Sequence, residues 1–322
     1  KLKHVLKGTA QINSHLIKSN RFDGDYSYKV RIDTSDYFSI ENNILYGTLS
    51  IIKGKEFEIK ENAFQIMDGK PVGDGINLFN KCEDINITAN LIGGFSQNGI
   101  SIMSNVKDVE IKNNKIGTDE DGLLAVPNLM GIHMYEKCSN IIIDGNLISG
   151  NSDANIGLSL DCSNNIIRNN VIGPNAPITE RFTNTKGIEL QRNCDGNLIE
   201  YNIISGLSFG IEIKDFDNTS CDNNIIDNNH FGVNNLNPSV QSNRVKLMNL
   251  FDVAIESGTG NKITNNYSPA NGTFAAIAGK NSTISNNVIG MFNDGEFGGF
   301  STIGILVADS DNLIEHNSIY SF

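Results

Sequence analysis

Two glutamates and a histidine stand at matching positions in three segments of this 322-residue chain, and each directly follows a Gly-Ile pair. They are Glu189, Glu212 and His133. Paired carboxylates about 5 Å apart cleave glycosidic bonds in retaining glycosidases, and imidazole readily exchanges protons near neutral pH. The three residues are therefore candidates for general acid–base catalysis, provided that the fold brings their segments side by side.

These segments belong to one repeat, which is clearest in three stretches of the chain. Residues 131–150 read GIHMYEKCSNIIIDGNLISG, residues 155–173 read NIGLSLDCSNNIIRNNVIG, and residues 187–206 read GIELQRNCDGNLIEYNIISG. Apolar and polar residues alternate between turns rich in Gly and Asn, which is typical of short β-strands, and the 3.6-residue period of a helix does not persist beyond a few residues. Copies of this length predict a solenoid in which successive repeats stack.

One asparagine recurs in every repeat, three residues after an inward-facing apolar residue, at intervals of roughly 20 to 40 residues. The eleven copies are Asn43, Asn62, Asn90, Asn114, Asn146, Asn170, Asn202, Asn229, Asn266, Asn287 and Asn317. Asn suits a tight bend because it tolerates the left-handed backbone conformation. Its amide can also bond the equivalent amides of neighbouring repeats. We therefore expect a single column of asparagines at one corner of the solenoid.

This pattern resembles the right-handed parallel β-helix of the pectate-lyase type, in which an asparagine ladder marks the bend between the second and third sheets. The resemblance extends over nearly the whole chain. It implies an all-β, single-stranded right-handed parallel β-helix of about eleven or twelve coils. Residues 35–322 would form one continuous domain, and residues 1–34 irregular N-terminal coils or a cap.

A second resemblance is local. Residues 113–134, NNKIGTDEDGLLAVPNLMGIHM, are similar to the NxIGTxxxG repeats of large bacterial surface and adhesin-like β-helix proteins, and residues 169–190 are a degenerate copy. Such repeats specify a fold much better than a function.

In the pectate-lyase type, substrates lie along the outward face of the first sheet, and strand alternation allows that face to be predicted here. One outward row comprises Asn77, Ser101, His133, Gly157, Glu189, Glu212 and Ala254. The row beside it comprises Phe79, Met103, Tyr135, Ser159, Gln191, Lys214 and Glu256. Gly157 should leave a hollow between His133 and Glu189, and the insertions 117–128, 173–185, 232–243 and 290–302 should wall a cleft over the face.

We assign catalysis to Glu189, Glu212 and His133 on this basis. The predicted substrate-binding residues are Tyr135, Gln191, Arg192, Lys214, Asp215 and Glu256. The alternative is that Glu189 and Glu212 belong to a solvated charge network with Lys214 and Arg192, as is common on exposed β faces and contributes little to stability.

The sequence predicts no cofactor and no dedicated metal site. Oxygen ligands for Ca²⁺ occur at residues 119–122, at Asp215 with Asp217, and at Asp294 with Glu296, but none has EF-hand spacing.

Five cysteines share one repeat position, namely Cys82, Cys138, Cys162, Cys194 and Cys221. Stacked coils would bring them within disulfide reach. We favour buried free thiols, because the number is odd and other repeats place Val or Gly at this position.

The formal net charge of −12 argues against nucleic acid or an anionic membrane as partner. No apolar run is long enough to insert in a membrane. The favoured function is an extracellular or cell-surface carbohydrate-directed protein, leaning towards a glycoside hydrolase, transferase or polysaccharide lyase. A polysaccharide or cell-surface glycan would be its partner.

Polygalacturonase signatures and the Arg-rich strand ends of pectate lyases are missing, which puts a polyuronate substrate in doubt. The alternative function is a non-catalytic adhesin, fibre or tailspike-like module. Solenoid ends without caps could stack on partners and form oligomers.

Overall fold

Strands are the only regular secondary structure in the described part of this computed structural model. The described residues are 5–7, 15–22, 29–34, 36–65, 73–178, 180, 182, 186–214, 217–232, 249–269, 273–290 and 303–320.

Each coil passes once through each of three parallel sheets, and each sheet has 12 strands. The first sheet comprises Val5–Lys7, Lys29–Asp33, Thr48–Ile52, Ile76–Phe79, Asn98–Met103, Met130–Tyr135, Ala154–Ser159, Lys186–Gln191, Phe209–Lys214, Phe251–Ile255, Thr273–Ile277 and Ile303–Val307. The second comprises His15–Lys18, Asp36–Glu41, Lys55–Lys60, Glu83–Thr88, Lys107–Lys112, Ser139–Asp144, Ile166–Arg168, Leu198–Glu200, Ile225–Asp227, Lys262–Thr264, Thr283–Ser285 and Leu313–Glu315. The third comprises Arg21–Phe22, Ile44–Tyr46, Ala63–Gln65, Leu91–Ile92, Lys115–Ile116, Leu147–Ile148, Val171–Ile172, Ile203–Ile204, His230–Phe231, Tyr267–Ser268, Val288–Ile289 and Ser318–Ile319.

This topology confirms the predicted single-stranded parallel β-helix. The first coil, with strands Val5–Lys7, His15–Lys18 and Arg21–Phe22, pairs in the same three sheets as the later coils. That residues 1–34 form a separate irregular cap stays a prediction. No helix long and apolar enough to cross a membrane occurs among the residues described above.

Alternating side chains separate the core from the surface. In strand Glu83–Thr88, Ile85 and Ile87 are buried, whereas Asn86 between them is exposed. The inward residues of successive coils lie in register, as for Leu78, Ile102 and Met134. Each fully buried aliphatic side chain contributes about 1.5–3 kcal/mol, so the stacked columns supply the main stabilisation of the solenoid.

The eleven asparagines form one column of hydrogen bonds, which confirms the predicted ladder. Asn146 is typical: its backbone N–H donates to Asn170 Oδ1 at 2.9 Å, and its Nδ2 donates to the same oxygen at 3.0 Å. Nδ2 also donates to the Ile111 carbonyl oxygen at 2.8 Å. Asn20 extends the column to the first coil, donating to Asn43 Oδ1 at 2.9 Å. Each amide therefore joins three consecutive coils.

The left-handed backbone lies one residue earlier than expected. Residues with φ between 52° and 67° directly precede the ladder positions, and they are Asn42, Glu61, Ala89, Asn113, Gly145, Asn169, Tyr201, Asn228, Asn265, Asn286 and His316. The expectation that the ladder asparagine itself adopts this conformation is wrong. Asparagine is required there for its hydrogen bonds, and the preceding residue makes the bend.

A second asparagine ladder, which the sequence analysis missed, lies between the first and second sheets. The Asn165 backbone N–H donates to Asn197 Oδ1 at 3.0 Å, and those of Asn197 and Asn224 donate to Asn224 and Asn261 at 2.9 Å each. Each of the first three follows a column cysteine by three residues, so the signal was a repeated C-x-x-N.

The five cysteines are free thiols and fully buried. Cys82 Sγ lies 3.4 Å from the Ile51 carbonyl oxygen and 3.3 Å from that of Phe79. The Cys194 backbone N–H donates to Cys221 Sγ at 3.3 Å. Burial raises the pKa of Cys82, which keeps this thiol protonated and unreactive.

We expect Asn170→Ala to lower the free energy of unfolding by about 2–5 kcal/mol, because it leaves the Asn146 N–H and the Ile143 carbonyl unpaired in the core. The measurement is chemical denaturation followed by circular dichroism. Asn169→Gly is the matched control, since Asn169 is exposed and its φ of 55° suits glycine. If Asn170→Ala is as stable as this control, the ladder does not hold the coils together.

We also expect a thiol reagent to modify none of the five cysteines in the native protein, because every one is buried. After denaturation without reductant it should modify all five, because none forms a disulfide. The measurement is the absorbance released by a disulfide-based thiol reagent. Fewer reactive thiols in the denatured protein would mean that stacked cysteines are oxidised to disulfides.

Candidate functional site

The strand register brings the candidate carboxylates together on the first sheet. Glu189 of strand Lys186–Gln191 pairs directly with Glu212 of strand Phe209–Lys214. Gly157 separates Glu189 from His133, so His133 lies two strand spacings, about 10 Å, from Glu189 along the backbone. The two glutamates therefore form a pair that His133 does not join.

Two lysines hold the carboxylates. Lys214 Nζ lies 2.8 Å from Glu189 Oε1 and 3.2 Å from Glu212 Oε2. Lys186 Nζ lies 2.9 Å from Glu189 Oε1, 3.7 Å from Glu212 Oε2 and 3.8 Å from Asp153 Oδ1. Because both glutamates contact one ammonium, these two oxygens are separated by at most about 6 Å, the sum of the Lys214 distances. This group of five charged residues is called the carboxylate cluster below.

Burial distinguishes the carboxylate cluster from an ordinary surface network. Glu189 and Glu212 are each only 4% exposed, although they point out of the sheet. The alternative of a charge network is confirmed for Lys214, which contacts both glutamates, but the network is not a solvated one. The glutamates are desolvated, and Arg192 instead contacts the exposed Asp217 at 3.4 Å.

The two carboxyl groups differ in proton affinity. Burial acts to raise the pKa of Glu189, but the hydrogen bonds and charges of Lys186 and Lys214 outweigh it and hold that pKa below its ordinary value. Burial raises the pKa of Glu212, and the negative charge of Glu189 adds to the effect against the opposing influence of Lys214 and Lys186. One carboxyl therefore ionises readily while its neighbour retains its proton to higher pH. Such a split is the usual basis of acid and base roles in a carboxylate pair.

Lys186 and Asp153 were missed by the sequence analysis. Lys186 stands immediately before a Gly-Ile pair, at the bend into the first sheet, where alternation does not define the direction of a side chain. The available signal was the i,i+3 spacing of Lys186 and Glu189.

His133 occupies a different environment. Burial lowers its pKa, so the imidazole is neutral at neutral pH, and its ring centroid lies 5.8 Å from that of Tyr135. The predicted hollow over Gly157 is not there: a Cβ built on Gly157 would lie 3.2 Å from Met130 Sδ and 3.5 Å from His133 Cδ2. Met130 fills the space because its long, flexible side chain bends over the neighbouring coil.

The structure brings three of the predicted substrate-binding residues together at the carboxylate cluster, namely Gln191, Arg192 and Lys214, while Tyr135 and Glu256 lie on other coils. Tyr135, Gln191 and Lys214 are half-buried in the second outward row. Arg192 lies at the end of its strand with φ of 61°. Glu256 is exposed just beyond strand Phe251–Ile255. Asp215 lies outside the described residues.

Of the candidate Ca²⁺ ligands, those at residues 119–122 and Asp217 lie in the described part of the chain. Asp119 Oδ1 accepts backbone hydrogen bonds from Leu123 at 2.7 Å and Leu124 at 3.0 Å, which close the turn of its loop. Asp215, Asp294 and Glu296 fall outside the described residues. Among the residues that are described, no group of three or more metal-binding side chains occurs.

The insertion 117–128 packs at the corner between the third and first sheets. The Ala176 N–H donates to the Gly122 carbonyl oxygen at 2.9 Å, and a Cβ on Gly122 would lie 2.8 Å from Leu147 Cδ2. This loop therefore flanks the first-sheet face instead of covering it. Insertions 232–243 and 290–302 and part of 173–185 lie outside the described residues, so the wall they would form stays a prediction.

Buried polar atoms without a hydrogen-bond partner are concentrated on the outward face. In the described part of the chain there are six such atoms, and four belong to the two outward rows: Asn77 Oδ1, Ser101 Oγ, Ser159 Oγ and Glu212 Oε2. Of these four, Glu212 Oε2 makes no hydrogen bond of good geometry but keeps its ion-pair contact with Lys214 at 3.2 Å. Folded proteins leave few buried polar groups unpaired, and those that remain often mark functional sites. Their clustering identifies the outward face of the first sheet as the best candidate for a polar ligand.

Comparison with known proteins identifies the fold family. A family model described as a right-handed β-helix region matches residues 65–194 and 127–245, which together are more than half of the chain. The chain belongs to the right-handed β-helix family. This confirms the predicted hand of the helix, whereas the pectate-lyase type and the adhesin-like repeats stay predictions. No curated protein sequence matches this β-helix significantly.

Solved structures share the fold at low sequence identity. The Dettilon tailspike protein matches with a TM-score of 0.57 and 13% identity over 91% of this β-helix and 60% of the tailspike chain. The A-module of the Azotobacter vinelandii mannuronan C-5 epimerase AlgE4 matches with a TM-score of 0.55 and 11% identity over 96% of this chain and 91% of the module. The β-helix thus spans about three fifths of the tailspike chain. At these identities the likeness establishes the fold alone.

We expect Lys214→Met to destabilise the protein by about 3–5 kcal/mol at neutral pH, because it leaves buried carboxylates with one fewer cation. The loss should shrink on acidification. The pKa of Glu189 is lower in the folded protein than in the unfolded chain. Ionised Glu189 therefore stabilises the folded protein fully above its unfolded pKa, and this contribution disappears as the pH falls through its folded pKa.

Free energies of unfolding at about pH 7 and at about pH 3, well below the ordinary pKa of glutamate, measure this difference. Lys112→Met is the control, because Lys112 pairs with the half-buried Glu110 at 2.6 Å. Loss of such a surface pair should cost less than about 1 kcal/mol. Equal losses for the two variants at neutral pH would contradict a desolvated carboxylate cluster.

Proposed function

We propose that this right-handed β-helix hydrolyses a glycosidic bond of a neutral polysaccharide at the carboxylate cluster. The observation that carries the proposal is the buried Glu189–Glu212 pair, whose members have pKa values shifted in opposite directions. A protonated and an ionised carboxyl on one face are the two groups that glycoside hydrolysis requires.

Glu212 has the properties of the general acid. Its raised pKa keeps a proton available for the leaving-group oxygen of the glycosidic bond. Glu189 stays ionised and attacks or stabilises the anomeric carbon. Both lysines contact Glu189 through Oε1, so Oε2 is the oxygen assigned to the substrate. A water molecule then attacks the anomeric carbon and displaces Glu189, and the proton of the water passes to Glu212.

The separation of the carboxylates favours retention of anomeric configuration. Retaining glycosidases place their carboxyl groups about 5–5.5 Å apart, and inverting enzymes about 6.5–9.5 Å apart. Glu189 and Glu212 are directly paired on adjacent strands, about 4.8 Å apart, and their lysine-bound oxygens are at most about 6 Å apart. Both separations favour the first class.

Charge selects the substrate class. The carboxylate cluster contains two lysines and three carboxylates when Asp153 is counted, and the chain as a whole carries a net charge of −12. An anionic glycan would be repelled, so a neutral one is favoured. A polysaccharide ligand also agrees with the mannuronan epimerase that shares the fold, although mannuronan itself is anionic. Such a substrate places the protein outside the cell or at its surface.

Glycan binding without cleavage is the second candidate. It is favoured by the lysine contacts to both carboxylates, which would lower their reactivity, and by the likeness to a tailspike protein. An adhesin or fibre would use the same outward face to hold a cell-surface glycan.

We expect Glu212→Gln and Glu189→Gln each to reduce kcat about 10²- to 10⁴-fold, because each removes one of the two proton or charge functions. The measurement is release of reducing ends from xylan, mannan, galactan, dextran and mixed-linkage glucan. Activity should decline on acidification through the lowered pKa of Glu189 and on alkalinisation through the pKa of Glu212, which lies above 4.5. Glu110→Gln, on the second-sheet surface, is the control and should retain full activity.

Unchanged activity in Glu212→Gln would remove it from the role of acid. If the wild type binds one of these polysaccharides but releases no reducing ends from any of them, binding without cleavage replaces hydrolysis.

A further inference from the structure

Two phenylalanines form an apolar strip beside the carboxylate cluster. The rings of Phe209 and Phe251 are stacked with centroids 5.2 Å apart and an interplanar angle of 9°. Each is the first residue of its first-sheet strand, and each is half-buried. Their stacked edges give a continuous apolar border along two successive coils.

The register places this border at the cluster. Phe251 pairs with Phe209, and Phe209 pairs with Lys186. The ammonium group of Lys186 contacts both glutamates. A side chain at the first position of these strands, where Phe209 and Phe251 also lie, can therefore extend over the outward face. Phe209 is in the same strand as Glu212, and Phe251 is one coil further towards the C-terminus.

The floor beside the phenylalanines is shallow and apolar. The outward row that contains Glu212 continues with Ala254 and then Ala276. These methyl groups replace the carboxylates of the preceding coils, and Leu250, next to Phe251, is 58% exposed. One strand spacing beyond the carboxylates, the row of Glu212 therefore changes from charged to apolar, whereas the neighbouring outward row carries the exposed Glu256.

The opposite direction along the helix axis is polar in one outward row. Ser159 lies one coil before Gln191 in the second outward row, and its buried Oγ has no hydrogen-bond partner in the described part of the chain. On its N-terminal side the cluster is thus bordered by Ser159 in one outward row and by Gly157, over which Met130 extends, in the other.

We propose that Phe209, Phe251 and Ala254 form a subsite for a neutral pyranose residue of the same polysaccharide chain, next to the residues that flank the cleaved bond. This inference rests on the proposed function and extends it. The C–H face of a pyranose lies against the phenylalanine edges and the alanine floor, where apolar contact stabilises it. A glycan held on both sides of the carboxylates lies along the helix axis and is cleaved internally, so the enzyme is endo-acting.

Phe251→Ala is the direct test. The substrates are reduced-end-labelled oligosaccharides, from disaccharide to octasaccharide, prepared from the neutral polysaccharide that the wild type degrades. In the wild type, kcat/KM should rise as the oligosaccharide becomes long enough to reach the apolar subsite. For oligosaccharides long enough to reach the subsite, Phe251→Ala should lower kcat/KM about 10- to 100-fold relative to the wild type, an effect typical of lost aromatic contacts. It should leave kcat/KM for the shortest cleaved oligosaccharide unchanged.

Two further variants separate binding from folding. Phe251→Tyr keeps the ring and should retain the length dependence, whereas Leu123→Ala, which removes an exposed side chain from the loop 117–128, should leave it unaffected. Early products of polysaccharide digestion should be oligosaccharides of mixed length, not monosaccharides.

The outcomes distinguish this inference from the proposed function. Hydrolysis with the same length dependence in the wild type and in Phe251→Ala, or early release of monosaccharides only, would overturn the apolar subsite while the catalytic role of the glutamates stands. If the wild type hydrolyses none of the glycans, the proposed function fails and the subsite with it.

Discussion

The amide-to-amide hydrogen bond between ladder asparagines sets the position of every other residue. Asn146 and its equivalents each bond the coil that follows and the coil that precedes, so the coils stack without slippage of one residue. A slip of that size would exchange the inward and outward side chains of a strand. The pairing of Glu189 with Glu212 depends on this register. Both glutamates lie on the first sheet, whereas the ladder lies at the bend between the second and third sheets.

The sequence was sufficient for the parts of the fold that follow a strict period. The ladder asparagines and the alternation after each Gly-Ile pair predicted the three sheets and placed Glu189 beside Glu212. It was insufficient at the bends, where residues leave the strand period. Lys186 escaped notice for that reason, and the left-handed residue was placed one position too late because asparagine is common at both positions.

Side-chain length also limited what the sequence could predict. Gly157 suggested an open space, but Met130, on the adjacent coil, extends over it. Alternation gives the direction of a side chain and not the path of a flexible one. For the same reason the sequence could name Lys214 as a neighbour of the glutamates but could not show that it contacts both. Nor could it predict that both glutamates are buried.

The carboxylate cluster is costly in a fold that does not require it. Elsewhere the outward face accommodates Ala254 and Gly157 at equivalent positions, so an uncharged side chain is compatible with the coil. Burying two carboxylates against two ammonium groups requires desolvation that their mutual attraction only partly offsets. A chain that retains such charges in the middle of a regular spiral gives up stability there, and active sites commonly make this exchange.

Glu189 and Glu212 lie on adjacent coils, one strand spacing apart. Because each coil contacts only its neighbours, a whole repeat inserted between those two coils would leave the remainder of the solenoid intact. It would also move the carboxylates to roughly twice the strand spacing, about 10 Å, beyond the range of either hydrolytic geometry. In such an architecture the number of repeats between two side chains acts as a molecular ruler, adjustable only in whole steps.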